Sequence, residues 1–366
     1  MSSRQGPLLL TGASGWFGRT ALWEYEQEHG PEALRREVIP FASRERFVDF
    51  DSPNGPVKAL PLEAIHEVQN PAGLLHMAFL TRDKVDELGW KRYVEINRKI
   101  TATVAQVLQA WPMLPVISTS SGAAAALDGK PPDLRSNPYA TLKQEEEQLL
   151  ERESATRMAM VFRVYAASGR FMTRPEKFAL GDFILQALRG QPVQVKAQHP
   201  VMRSYVSVEQ LMQLSWMLLL RQDKISGRGY QQVDACGPAV EMEELAAAVA
   251  DELGASLGPR RISADLPDCY VGDAAPLSSL LERHGLQVVG LRQQIRTTVE
   301  GLRGSSLRHS WISNRPYAPR QTMEPRDAIA SASADLTDAQ ITAQHCAIAH
   351  RFPSAAEILS EVDRSD

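Results

Sequence analysis

Residues 7–18 read Pro7-Leu8-Leu9-Leu10-Thr11-Gly12-Ala13-Ser14-Gly15-Trp16-Phe17-Gly18. Three consecutive leucines predict a short buried strand, and the chain from Arg19 onward has helical character. Between them lies a turn with glycines spaced GxxGxxG. Strand, glycine turn and helix start together form the context in which a dinucleotide is held. Gly12 permits the tight turn, Gly15 lets the backbone approach a pyrophosphate, and Gly18 lets the helix pack close to the strand. The helix N-terminus then offers free N–H groups and a partial positive charge to phosphates. Three glycines alone are a weak pattern, since a turn that binds nothing can read the same way. The flanking elements give it weight.

Outward from this turn, strand-like and helix-like segments alternate to about Met160, which predicts an α/β fold with a doubly wound parallel sheet. A helix from Thr20 to about Arg36 is interrupted at Gly30-Pro31. The second strand, Glu37–Ala42, contains Pro40, an awkward residue inside a parallel sheet. Where an acidic residue would bond a ribose hydroxyl stand Ser43 and Arg44, which suit a 2′-phosphate, so NADP is favoured over NAD. The plainer alternative is that Arg44 and Arg46 merely solvate a loop. A short strand follows at Val57–Leu60 and a fourth at Gly73–Phe79, with His76 read as a backbone-satisfied residue at the strand end. A helix over 90–110 shows apolar residues at Tyr93, Ile96, Ile100, Val104 and Val107. The fifth strand, Val116–Gly122, ends in a cluster of hydroxyls, where ligands of open α/β sheets bind.

Tyr139 and Lys143 are four residues apart and share one face of the next helix. A tyrosine is too weak an acid or base near neutral pH unless its anion is stabilised, and a lysine one turn away can do that. YxxxK alone is a common accident. In this order, after the glycine turn and the hydroxyl-ended strand, it becomes specific. The charged run Glu145–Glu153 reads as a solvated face.

Composition narrows the function classes. A 366-residue chain with 43% hydrophobic and 23% charged residues can bury a large core as a globular protein. A net charge of −4 gives no reason to expect nucleic acid or an anionic membrane as partner. The three cysteines, Cys236, Cys269 and Cys346, are too few and too scattered for a disulfide framework or a CxxC metal site. MSSRQGPLLL lacks a long apolar signal core, and SWMLLL at 215–220 is too short to span a bilayer. The expectation is a cytoplasmic enzyme.

The chain resembles the extended short-chain dehydrogenases/reductases, the NAD(P)-dependent epimerase/dehydratase type that mostly modifies nucleotide sugars. The resemblance runs from about Pro7 to Leu302. TGASGWFG is similar to the family's cofactor turn, LLHMAF to its fourth-strand motif and RYVEINRKITATVAQVL to the helix carrying an important asparagine, here Asn97. STSSG resembles the active-site serine strand and YATLK the tyrosine–lysine motif. RSYVSVEQLMQL resembles the segment whose arginine, here Arg203, pairs with a substrate diphosphate. The resemblance implies a Rossmann-type sheet with a smaller α/β substrate-binding domain over the strand C-terminal ends. It implies catalytic Ser121, Tyr139 and Lys143. Cofactor contacts would come from Gly12, Ser14, Gly15, Trp16, Phe17, Gly18, Ser43, Arg44, Met77, Ala78, Asn97, Ser120, Tyr139 and Lys143, and substrate contacts from Ser121 and Arg203. No metal is implied. A homodimer through helices 90–110 and 139–152 is implied as well.

Departures from the family pattern refine this. Ala166 replaces an asparagine usual in nucleotide-sugar enzymes. Gly122-Ala123 replaces the Asp-Glu pair of sugar dehydratases, so a dehydratase is not expected. Pro61-Leu62 replaces the acidic residue near the adenine. What remains is hydride transfer coupled to proton transfer: a reductase of a keto group on a nucleotide-linked sugar, with Tyr139 as proton donor. An epimerase that oxidises and re-reduces, or a reductase of a non-sugar carbonyl, would use the same residues. A non-catalytic cofactor sensor would not need the tyrosine–lysine pair.

The expected domains are 1–168, to which 203–235 returns, for the cofactor, and 169–202 with 236–302 for the substrate. Phe178, Phe183, Ile184 and Leu188 read as core of the second, and His199 as a loop residue near Arg203. Residues 303–366 form an extension of unknown role. In it, Thr337-Asp338 could cap a helix bearing His345, Cys346 and His350, whose spacing is poor for a metal. Ser354 and Glu357 form a second capping pattern.

Overall fold

The computed structural model describes residues 6–220, 228–263 and 266–313. The tail readings at 337–357 therefore lie outside the described residues. The main sheet contains β1 (Leu8–Thr11), β2 (Val38–Ala42), β3 (Arg46–Val48), β4 (Val57–Pro61), β5 (Gly73–His76), β6 (Val116–Ser121), β7 (Met158–Val164) and β10 (Gly229–Ala235). Their order is β10-β7-β6-β5-β1-β2-β4-β3, parallel throughout except for the β3–β4 pair. The order reverses on either side of β1 and β5, which creates a crevice at the carboxyl ends of these strands.

The three leucines of β1 show how the sheet is buried. Leu8 and Leu10 enter one apolar layer with Leu22, Tyr25, Ile117, Phe162, Leu211 and Leu214. Leu9 enters the opposite layer with Phe41, Leu74, Val104, Val116 and Val161. Side chains alternate across a strand, so a strand covered on both faces reads as a continuous apolar run. Helices Trp16–His29 and Val208–Leu220 cover the first face. Leu108 and Leu150 of helices Trp90–Ala110 and Pro138–Arg152 are buried in the second layer.

Pro40 is accommodated by register. The Phe41 carbonyl accepts from Ala13 N at 2.9 Å, so Phe41 faces β1 and Pro40 turns its nitrogen the other way. There β4 pairs only with Phe41 and Ala42, so no ladder donor is missed at Pro40. The hairpin strand β3 was not anticipated, and the fourth expected strand ends at His76 rather than Phe79. Helix Trp16–His29 starts three residues before Arg19, because the chain turns helical immediately after Gly15.

A second sheet is built on β9 (Val201–Ser207), which pairs with β8 (Ala166–Ser168), β11 (Ala239–Glu241) and β12 (Asp268–Tyr270). It packs with helices Ala179–Leu188, Met242–Leu253 and Leu291–Ser313 around Leu180, Phe183, Ile184, Tyr205, Leu245, Val249 and Ile295. Phe178 departs from the expected core: it is 46% exposed and lies edge-on to Trp16, 6.1 Å away. No helix among the described residues is long and apolar enough to cross a membrane.

The expectation of a solvated glutamate run is corrected. Glu146 and Glu147 are buried, because each finds a cation and the helix turns them inward. Arg163 of β7 grips Glu147 through Nε (2.9 Å) and Nη2 (2.7 Å), and Asp128 through Nη1 (2.7 Å). Removing one partner of such a pair strands the other charge. Arg163→Met is therefore expected to lower the unfolding free energy by about 3–5 kcal/mol, read from urea denaturation midpoints.

Candidate active site

The site forms where β1, β5 and β6 end. Gly12 has φ +71°, and a Cβ there would lie 2.5 Å from the Met77 carbonyl carbon and oxygen. A Cβ at Gly18 would collide with the Gly12 carbonyl oxygen. These two positions let the turn, the following helix and the chain after β5 meet backbone to backbone. Gly15 is exposed and caps helix Trp16–His29 with no side chain over its first amides. The turn thus has an open face of backbone donors at a helix N-terminus, which fits a dinucleotide pyrophosphate. Ser14 flanks it, and Trp16 and Phe17 lean inward with their rings 5.8 Å apart.

Thr11 closes the floor of the turn. Its hydroxyl accepts from the amides of Met77 (3.2 Å) and Ala78 (3.3 Å) and donates to His76 Nδ1 at 2.6 Å. With Nδ1 accepting, the His76 proton sits on Nε2, which lies 3.4 Å from Glu146 Oε1. His76 is thus tied through its side chain, not merely satisfied at a strand end. Burial pushes its pKa down to about 4. Asn97, fully buried, accepts from Leu80 N at 2.8 Å and donates to the Tyr93 carbonyl, so it holds the loop that follows Met77 and Ala78. At the other end of the crevice Ser43 and Arg44 are exposed directly after β2.

Ser121 ends β6, and its hydroxyl lies 3.0 Å from that of Tyr270, contributed by β12. Tyr139 sits in the first turn of its helix, with its ring edge-on to Phe79 at 5.8 Å. Burial raises the Tyr139 pKa above the ordinary tyrosine value and the Glu146 charge acts in the same sense, while Ser121 and Arg82 oppose them. Lys143 is buried. It donates to the Thr119 carbonyl (2.8 Å) and Glu146 Oε2 (3.1 Å), and lies 3.8 Å from the Phe79 ring centroid. Ser120 Oγ is buried without a partner among the described residues. Gly122 packs against the Tyr165 ring, where a Cβ would come within 2.5 Å, so position 122 has no room for a side chain. Arg203 lies in the second sheet and is held by Asp268 (2.7 Å) and by the Met202 and Asp268 carbonyls.

Glu146, Thr11 and Tyr270 are among the residues that stand beyond the sequence-derived set. Glu146 had a local signal, three residues after Lys143 and one helical turn along the same face. Tyr270 opens the stretch Tyr270-Val271-Gly272-Asp273, which resembles the family's C-terminal substrate region, but no local pattern directs it to Ser121, 149 residues away.

The family model for the NAD dependent epimerase/dehydratase family matches residues 8–231. No curated protein sequence matches the chain. Among solved structures, MoeE5 in complex with UDP-glucose and NAD is 20% identical, with a TM-score of 0.60, covering 82% of this chain and 100% of its own. The Thermus thermophilus UDP-glucose 4-epimerase complex with NAD is 22% identical, TM-score 0.59, covering 82% and 99%. A GDP-L-fucose synthetase from Naegleria fowleri bound to NADP is 13% identical, TM-score 0.61, covering 83% and 95%. At these identities the likeness is one of fold.

The buried neutral imidazole has a pH consequence. His76 binds a proton more readily when unfolded (ordinary value 6.5) than when folded (about 4), so its contribution to stability is lost as pH falls through that window. In unfolding free energies measured from pH 7 to pH 4, wild type is expected to lose more stability than His76→Asn.

Proposed function

Because the chain belongs to the NAD dependent epimerase/dehydratase family, we propose that it reduces a keto group on a nucleotide-linked sugar, with Tyr139 as proton donor and NADP as the favoured cofactor. What supports this reading is that Ser121, at the end of β6, acts on the Tyr139 phenol while the Phe79 ring meets both Tyr139 and Lys143, and burial raises the phenol's pKa. A protonated tyrosine is poised to give a proton to an oxygen that gains charge as its carbon is reduced. The bound nicotinamide supplies the hydride.

Ser121 orients the reacting oxygen, and Lys143, fixed at Thr119, presents its remaining proton towards the cofactor ribose. The first-turn amides after Gly15 take the pyrophosphate. Ser43 and Arg44 bind the 2′-phosphate, where an acidic residue would repel it. Arg203 takes the substrate diphosphate by exchanging its bond to Asp268 for a bidentate one to phosphate oxygens. Gly122 and Ala123 supply no acid–base pair for loss of water, which argues against a dehydratase.

The first test is to denature freshly purified protein, identify any released nicotinamide cofactor by mass, and titrate the emptied protein with NADPH and NADH. An empty site that prefers NADPH supports the reductase. Tightly retained oxidised cofactor would instead indicate an internal oxidation–reduction cycle and overturn it in favour of an epimerase. Arg44→Ala is expected to weaken NADPH binding about tenfold or more and leave NADH unchanged, since a charge-assisted hydrogen bond contributes about 1.5–3 kcal/mol. Tyr139→Phe is expected to cut kcat by about 10²–10⁴ without loss of cofactor binding. Arg203→Ala is expected to raise KM with little change in kcat, as removal of uniform binding does.

A further inference from the structure

We propose that Glu146 is a positioning residue for the Tyr139–Lys143 pair: its carboxylate holds the Lys143 ammonium against the Thr119 carbonyl and offsets its charge, so that Tyr139 remains a proton donor. This rests on the reading of Tyr139 and Lys143 as the reacting pair.

The geometry behind it is a closed polar cluster. Glu146 Oε1 accepts from Ser118 Oγ at 2.6 Å and faces His76 Nε2 at 3.4 Å, while Oε2 accepts from Lys143 Nζ at 3.1 Å. Side-chain exposure is only 6% for Lys143 and 5% for Glu146. Lys143 holds Glu146 below its usual carboxylate range against the opposing effect of burial, so the carboxylate is charged. His76 is neutral at physiological pH, being tied through Nδ1 to Thr11 and depressed by burial. The cluster therefore contains one cation and one anion. What stands one helical turn from Tyr139 is therefore a charge pair and not a bare ammonium, with the Phe79 ring against both Lys143 and Tyr139.

The other groups facing Tyr139 do not replace a bare ammonium. Ser121 and Tyr270 are neutral hydroxyls from β6 and β12, and Tyr93 is a phenol from helix Trp90–Ala110 whose pKa is itself pushed up by burial. Arg82 contributes a favourable charge from the loop after β5, and Glu146 an unfavourable one. Glu146 is thus the group whose charge decides whether Lys143 acts on the phenol as a cation or as half of a neutral pair.

The test uses the full-length, ligand-free protein carrying tyrosine labelled with carbon-13 at Cζ, with the Tyr139 resonance assigned by its loss in Tyr139→Phe. Its chemical shift is followed against pH in wild type and Glu146→Gln. The glutamine keeps the shape and one acceptor but removes the negative charge. The expected result is a Tyr139 titration displaced to lower pH, its acid dissociation constant raised about tenfold. An unmoved titration in folded Glu146→Gln overturns the proposal, because a merely structural glutamate would change stability alone. If Glu146→Gln does not fold, Glu146→Asp serves: its carboxylate is withdrawn from Lys143, and a smaller shift in the same direction is expected, with no shift again overturning it. The titration needs neither substrate nor cofactor. A Tyr139 that titrates as expected in a protein with no nicotinamide-dependent turnover would uphold the coupling and sink only the reaction assigned to it.

Discussion

Everything in this structure depends on three stretches of backbone meeting without side chains between them. At Gly12 the turn touches the carbonyl of Met77, and at Gly18 the first helix touches the turn itself. No other residue type permits both approaches. From that contact follow the position of the helix N-terminus, the course of the chain after β5 and the place where Thr11 can bond two amides and an imidazole at once. The nearby polar groups are then fixed by accounting. Thr11 bonds His76 Nδ1, and Ser118 and Lys143 donate to Glu146, while His76 Nε2 lies 3.4 Å from the same carboxylate without a hydrogen bond.

The main sheet was legible because its strands announce themselves locally. Leu8–Leu10 and Val116–Ile117 are apolar without alternation, as strands covered on both faces must be. The long helix was readable from its 3.6-residue period, and its bounds at Trp90 and Ala110 match the structure. The glycine turn and the Tyr139–Lys143 spacing were also local signals. The hairpin strand β3 was not readable: Arg46-Phe47-Val48 is three residues long, with Arg46 and Phe47 exposed, and depends on β4 for its existence.

The misread elements share one cause. Glutamates 145–147 look like a solvated run, since charge on a helix is usually exposed. They are inside because Arg98, Lys143 and Arg163 face them, two from other elements far away in sequence. Local pattern cannot reveal a partner 16 or 47 residues distant. The same holds for His76, whose partners Thr11 and Glu146 lie on either side of it by 65 and 70 positions. Sequence thus indicated the residue types of the candidate site, and folding decided which charges balance there.

The contact between Ser121 and Tyr270 has a bearing on molecular recognition. A serine hydroxyl donates once and accepts twice, and either hydroxyl of this pair can be the donor, so an oxygen arriving at Ser121 can join the phenol without displacing it. With Tyr270 donating, the Ser121 proton is left for a third oxygen; with Ser121 donating, a lone pair is left instead. The contact therefore ties the end of β6 to β12 of the second sheet, 149 residues away, through two hydroxyls that can reverse their donor and acceptor roles. Such a pair can meet either a donor or an acceptor while both backbones stay where they are.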